Sequence, residues 1–297
     1  MIAKQTTFFK GPVSFILPAF FFYFIFFILP LLGTFLFSFT NWEGYSYSTL
    51  SFVGLGNYMK LLEDPIYLVS LRNSLVFLVS VVWAQVTLGL FVAILLEREL
   101  FLGSFFRGSY FVPTIISLVI SGIVFSILLD PTLGIFDGAM KFLGLEEISR
   151  VWLGNPRVAF LMVIIVQIWY GFGWSMFIFV SSLKGIDPQL YEAAEIDGAS
   201  EIKRTFFITI PLLKNAMAIA IVTAAMRAIA IFEIPYIMTK SGPFHATEFL
   251  ATWAYRQGLP FSKVGYGASI SVTLIILSFI VGYFLLRFWN VEESAQE

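Results

Sequence analysis

Six stretches of this chain are long, apolar and almost free of charge: Val13 to Phe39, Leu71 to Leu96, Ser109 to Leu129, Val158 to Leu183, Asn215 to Met238 and Gly265 to Trp289. A bilayer core about 30 Å thick is crossed by roughly 20 apolar residues in a helix. Each stretch meets that requirement, and every charged residue except Arg227 and Glu233 falls at or beyond their ends. Charged residues make up 12% of the sequence, against about 25% in soluble domains. The sequence therefore predicts an all-α membrane protein with six transmembrane helices.

The first stretch follows Lys4 and Lys10, as a signal peptide would. It is far longer than the apolar core of such a peptide and has no A-x-A cleavage site, so it is expected to remain as a span. Pro18, Pro30 and Pro113 lie inside spans and should kink them, freeing carbonyls that neighbouring helices or water must satisfy. No repeat is visible, so one six-span domain over 13–289 is expected, flanked by a terminal segment 1–12 and an acidic tail 290–297 that carries Glu292, Glu293 and Glu297.

Several kinds of chemistry are excluded. Cysteine is absent and His245 is the sole histidine, so thiolate or histidine-cluster metal sites and a serine–histidine relay are not expected. The net charge of -1 offers no basic patch for nucleic acid. No G-x-x-x-x-G-K-[ST] segment occurs, so the chain has no phosphate loop of its own.

Charge alone leaves orientation nearly undecided. One set of connections holds Lys4, Lys10, Arg98, Arg107, Lys184, Lys203, Arg204, Lys214 and Arg287; the other holds Lys60, Arg72, Lys141, Arg150, Arg157, Lys240, Arg256 and Lys263. The first set is the denser because its loops are shorter, which favours cytoplasmic termini.

The connection from Lys184 to Lys214 carries strong helix signals. Asp187 is a good N-cap with Pro188 at the first helical position, where its missing N–H costs nothing. Ile186, Leu190, Ala193 and Ala194 recur at helical spacing beside Glu192 and Glu195. Gly198 suits a helix-ending turn, Ser200 can cap a second short helix, and Ile202, Phe206 and Ile208 to Pro211 lead back into the membrane. The residues alone allow two readings of this helix–elbow–helix: it lies at the membrane interface, or its apolar face docks in a partner's groove. A further surface helix is predicted over Phe136 to Trp152, before Gly154-Asn155-Pro156.

At this loop the chain resembles the membrane subunits of ATP-binding-cassette importers. Their signature is EAA, three residues, G, nine residues, I-x-LP; Glu192-Ala193-Ala194, Gly198, Ile208 and Pro211 keep every spacing, with Ile210 in place of leucine. The segments Phe52 to Tyr58, Asp64-Pro65, Arg72-Asn73-Ser74, Phe106-Arg107-Gly108 and Trp152 to Pro156 look like the carbohydrate branch, as do Phe232 to Thr239, Tyr255-Arg256-Gln257 and Gly265 to Ala268. Within it they resemble the first subunit of maltose, lactose and glycerol-3-phosphate systems. Glu233 stands where the branch usually has Asp, Ser241-Gly242-Pro243 where it has Gly-Gly-Pro, and Pro235 interrupts a usual apolar dipeptide.

The resemblance implies a six-span permease of the type I importer kind, with a second homologous permease, two ATPase subunits and an extracytoplasmic binding protein as partners. It implies that 184–214 is a cytoplasmic coupling loop in which Glu192 anchors to the ATPase, Gly198 is the elbow, and Ala193, Ala194, Asp197, Ile208 and Pro211 complete the motif. ATP and Mg would then be used by the partner, with no cofactor on this chain. The implied cargo is a di- or oligosaccharide, with another solute such as a phosphorylated polyol as the alternative. An intramembrane enzyme is disfavoured, since no H-E-x-x-H, paired aspartates or serine–histidine set appears in the spans.

Candidate pathway residues are few. Arg227 lies thirteen residues after Lys214, about 20 Å along a helix, where a charge must face a cavity, water or a partner. It serves either a gate or a structural ion pair, though not with Glu233, which is six residues on at a different azimuth. On the fourth span Gln167, Tyr170, Gly171 and Trp174 combine polar and aromatic groups suited to a sugar, in a region that carries sugar contacts in the maltose-type relatives. Helix packing is the plainer reading of the same residues. Gln85 is expected to make an interhelical hydrogen bond.

Overall fold

The computed structural model describes residues 12–46, 48, 50–97, 103–144 and 152–289. The predicted tail 290–297, nearly all of segment 1–12 and the later part of the predicted surface helix lie outside them. Among the described residues there is no strand, only an isolated bridge between Thr40 and Phe52. In chain order the α-helices are α1 (Pro12–Tyr23), α2 (Leu29–Phe37), α3 (Gly56–Glu63), α4 (Pro65–Glu97), α5 (Gly103–Ile115), α6 (Leu118–Leu128), α7 (Ile135–Phe142) and α8 (Pro156–Leu183). There follow α9 (Pro188–Ile196), α10 (Glu201–Arg204), α11 (Ile210–Leu212), α12 (Lys214–Ile229), α13 (Glu233–Thr239), α14 (Leu250–Gly258) and α15 (Val264–Trp289). Among the described residues four helical runs are long and apolar enough to cross a membrane, and six if each of two bent pairs counts as one span.

Two prolines shape the chain in the same way. Pro30 and Pro211 each follow a five-residue π-turn, Phe24–Ile28 and Thr205–Thr209, at the same offset. A proline inside a helix has no N–H for the carbonyl four residues back and its ring collides with that carbonyl. Widening one turn to i→i−5 bonding relieves the collision: the N–H of Leu29 reaches the Phe24 carbonyl and that of Ile210 reaches the Thr205 carbonyl.

The bent pairs depart from the predicted spans. The stretch Ser109 to Leu129 is not one kinked helix: α5 and α6 meet at 97°. The break falls just after Pro113, where Ser117 takes an extended ψ of 135°. The predicted run Asn215 to Met238 is also divided. It ends as a helix at Ile229, and α13 starts anew at Glu233. Pro235 explains the restart, because a proline is tolerated in a first turn and not in a continuing helix. On the membrane-entry side, α10, the π-turn and α11 run into α12 at 68°, so this span includes residues assigned above to the loop.

The chain forms two compact units. The smaller contains the residues up to Asp64 with Ala254–Thr273. Its first span, Ile16–Phe37, has no buried residue. Asn57 fastens the end of that span, its side-chain amide donating to the carbonyls of Ser38 and Thr40 at 2.8 and 2.7 Å. Tyr58 meets Ser38 Oγ at 2.7 Å, and Tyr266 donates to Asp64 at 2.7 Å.

The larger unit, Pro65–Trp253 with Leu274–Glu297, is built on α4, α8 and α12. Asp64 is extended (ψ 108°), as a residue before proline must be, and α4 starts at Pro65. Asn155 caps α8 by accepting from the N–H groups of Arg157 and Val158, with Pro156 in the first turn. One buried apolar cluster holds Phe77, Val81, Val163, Ala228, Ile234 and Phe249. A second, toward the 184–214 loop, holds Ala93, Leu96, Met176, Phe179, Leu183 and Leu213. Gly89 lets α4 and α8 approach closely: a Cβ there would fall 2.8 Å from the Met176 nitrogen. Asn73 and Ser74 pin the loop before α14, Asn73 donating to the Ala246 and Glu248 carbonyls at 3.0 Å and Ser74 Oγ accepting from the Leu250 N–H at 3.1 Å.

Candidate functional site

The loop of 184–214 folds as a short helix, a glycine elbow and a second short helix. Asp187 accepts from the Gln189 N–H at 3.0 Å and starts α9 with Pro188 at its first turn. The helix stops at Gly198, whose φ of +73° is easy for glycine and costly for a residue with a Cβ. The closing hydrogen bonds are those of a Schellman-type turn: Ala199 N–H to the Ala194 carbonyl at 2.9 Å and Gly198 N–H to the Glu195 carbonyl at 3.0 Å. Ser200 then caps α10.

Two side-chain contacts across the elbow fix its angle. Arg204 reaches Glu195 at 3.2 Å, an exposed pair of small energetic weight that sets geometry more than stability. Tyr191 meets the buried Thr209 at 3.0 Å, inside the π-turn that Pro211 imposes. Burial holds the Tyr191 hydroxyl above the usual tyrosine range, against the opposing hydrogen bond from Thr209 and with added repulsion from Glu97. The hydroxyl therefore stays neutral and can both donate and accept.

What the loop leaves uncovered is apolar. Ile196 is 87% exposed, and Ile202, Phe206 and Phe207 are also open, beside exposed Glu192, Ala193 and Asp197. Ile196 lies on α9, where an apolar surface on a braced frame suits a docking contact, whereas Ile202, Phe206 and Phe207 belong to the run that continues into α12. Ile208, half-buried, and Pro211, exposed, belong to the segment that returns to α12.

The residues grouped above as a pathway separate into four places. Gly171 is a packing residue: a Cβ there would fall 2.1 Å from Gln85 Nε2. Gln85 in turn donates to the Gln167 carbonyl at 2.6 Å, the interhelical bond expected of it. Tyr170 receives Thr114 Oγ1 on its backbone carbonyl at 2.9 Å, joining α5 to α8. Trp174 and Arg227 do come together, the guanidinium lying 5.2 Å from the indole centroid, a cation–π arrangement. Arg227 is in the last turn of α12 and exposed there, so it marks a helix end and not the middle of a long span. Glu233 begins a separate helix, α13, and makes no ion pair with Arg227. Gln167 Oε1 and Trp174 Nε1 are buried without hydrogen-bond partners.

The contacts of Arg204 with Glu195 and of Tyr191 with Thr209 had no readable pattern in the sequence, because both depend on the angle of the elbow between them. Arg107, whose Nη2 donates to the Leu96 carbonyl of α4 at 3.1 Å, likewise makes a contact that no local pattern announces.

The chain is a helical membrane protein with a braced, largely exposed helix–elbow–helix between its fourth and fifth spans. Residues 85–291 match the family described as binding-protein-dependent transport system inner membrane component, and the chain belongs to that family. A probable ABC transporter permease protein of Bacillus subtilis (strain 168), YurN, is 31% identical and aligned over 94% of this chain and 96% of its own length. The trehalose/maltose transport system permease protein MalF of Thermococcus litoralis is 30% identical over 87% of each chain. Among solved structures, a chain of a bacterial ABC transporter involved in the import of the acidic polysaccharide alginate superposes with a TM-score of 0.83 over 94% of both chains. At 18% identity that likeness shows the shared fold. The protein is thus a multi-pass inner-membrane permease subunit and not an enzyme.

Proposed function

We propose that this permease carries a di- or oligosaccharide into the cell, paired with a second homologous permease and driven by two separate ATPase subunits. An extracytoplasmic binding protein delivers the sugar, and ATP with Mg is consumed on the ATPase partner. The observation that carries this reading is the loop: a rigid elbow at Gly198 presenting exposed Glu192 and Ile196. It supports 184–214 as a cytoplasmic coupling loop, with 1–12 and 290–297 on the same side and 13–289 as the permease domain. Closure of the ATPase pair pulls the docked α9, and the Tyr191–Thr209 contact carries the displacement into the fifth span. Reversing a strong two-state preference between inward-open and outward-open forms takes about 5.5 kcal/mol of differential binding. A braced loop can deliver that; a flexible one dissipates it.

The sugar assignment draws on the trehalose/maltose and alginate systems among the chains this one is similar to. Trp174 stacked with Arg227 supplies an aromatic face and hydrogen-bond donors of the kind a sugar uses. The test is the ATPase rate of the assembled transporter with its binding protein loaded from a panel of oligosaccharides and polyol phosphates. Stimulation confined to oligosaccharides is expected. Stimulation by a polyol phosphate alone would leave the permease reading standing and overturn the cargo.

A further inference from the structure

A small cavity beside the coupling loop has the charges of a specific headgroup site. It encloses about 110 Å³ where the end of α4, the start of α5 and the end of α8 converge. Buried Ala93, Leu96 and Leu183 form its apolar floor, and Glu97, Arg107 and Lys184 its ionic rim. The Arg107 guanidinium is only partly used. Its Nη2 is committed to the Leu96 carbonyl, while its Nε is buried with no hydrogen-bond partner. A buried charged donor left unpaired is costly, and this one belongs to a residue that lines an open space.

The charge balance narrows what could fill it. Arg107 and Lys184 are cationic and Glu97 is anionic, and the C-terminal end of α8 adds roughly half a negative charge. The site is therefore near neutral in sum but divided in space, which disfavours a simple anion and suits a zwitterion. A phosphate accepts from guanidinium and ammonium donors, and a primary ammonium suits a carboxylate beside helix C-terminal carbonyls. Basic pockets between membrane helices bind lipid phosphates, and Arg107 with Lys184 forms the basic half of this one.

We propose that this cavity binds a phosphoethanolamine group, with the phosphate on Arg107 Nε and Lys184 and the ammonium on Glu97, and that its source is phosphatidylethanolamine of the surrounding leaflet. The inference stands apart from the sugar reading and needs only the membrane location.

The test uses the assembled transporter in mixed micelles of phosphatidylethanolamine and phosphatidylcholine at equal amounts, with bound lipid counted by native mass spectrometry. Phosphatidylcholine keeps the phosphate but has no N–H donor. The wild type should retain phosphatidylethanolamine about fivefold over phosphatidylcholine, the ratio expected from one exposed ion pair at the upper end of its range. Glu97→Gln should abolish that preference, and Lys184→Gln should lower retention of both lipids alike; both residues are exposed, so folding is spared. Equal retention of the two lipids by the wild type, or an unchanged preference in Glu97→Gln, overturns the proposal. Free phosphoethanolamine, added to lipid-depleted complex, separates the sources: binding as tight as that of the lipid would replace the leaflet with a soluble ligand.

Discussion

Glu192 and Tyr191 are neighbours with opposite tasks. Glu192 is exposed on α9 and has no contact that holds the loop together, whereas Tyr191 turns inward to Thr209. Replacing Glu192 by alanine should leave the protein inserted and folded but weaken ATPase co-purification and abolish uptake. Normal uptake with normal co-purification would remove Glu192 from the docking surface. Tyr191→Phe keeps the ring and deletes one hydrogen bond, a loss of about 1 kcal/mol. The ATPase should still dock, while backbone amide exchange across 188–212 rises about fivefold and less sugar moves per ATP hydrolysed. Unchanged exchange would show that the hydroxyl does not brace the loop. Arg227→Ala should alter transport with assembly intact, because its partner Trp174 keeps its stacking with Phe111 and Phe177. A variant that fails to assemble, with transport per complex unchanged, would make Arg227 structural.

The elements show why local signals were legible and distant ones were not. Asp187-Pro188, Gly198 and Ser200 act through hydrogen bonds to residues within a few positions, so the start, elbow and restart of the 184–214 loop are legible in the sequence. Hydropathy, by contrast, registers how apolar a stretch is and not whether its axis is straight. It therefore merged α5 with α6 across a 97° bend, and α12 with α13 across the break before Pro235. Gly171 fits the plainer packing reading, and its lack of a side chain answers to Gln85, on a different helix that the local sequence does not show. The Ile208-to-Pro211 stretch is legible as a motif, while its physical role depends on the fold. Its proline sets the π-turn that places Thr209 under Tyr191. At the elbow, Gly198→Ala should cost about 1–2 kcal/mol and loosen α9 against α10, measured as lower thermal stability of the ATPase complex. An unchanged complex would mean that the elbow angle is not used.

For the whole molecule, α9 has almost no cover of its own, and the proposed coupling role makes the ATPase its cover. Ile196 is the most open of its apolar residues, and the chain contains no native cysteine to confuse a label. The most direct measurement is to place a single cysteine there, as Ile196→Cys, and treat oriented membranes with a membrane-impermeant maleimide, with and without the ATPase subunits. The account predicts labelling from the cytoplasmic face when the ATPase is absent and protection when it is present. Labelling from the outer face, or equal labelling with the ATPase bound, would contradict it.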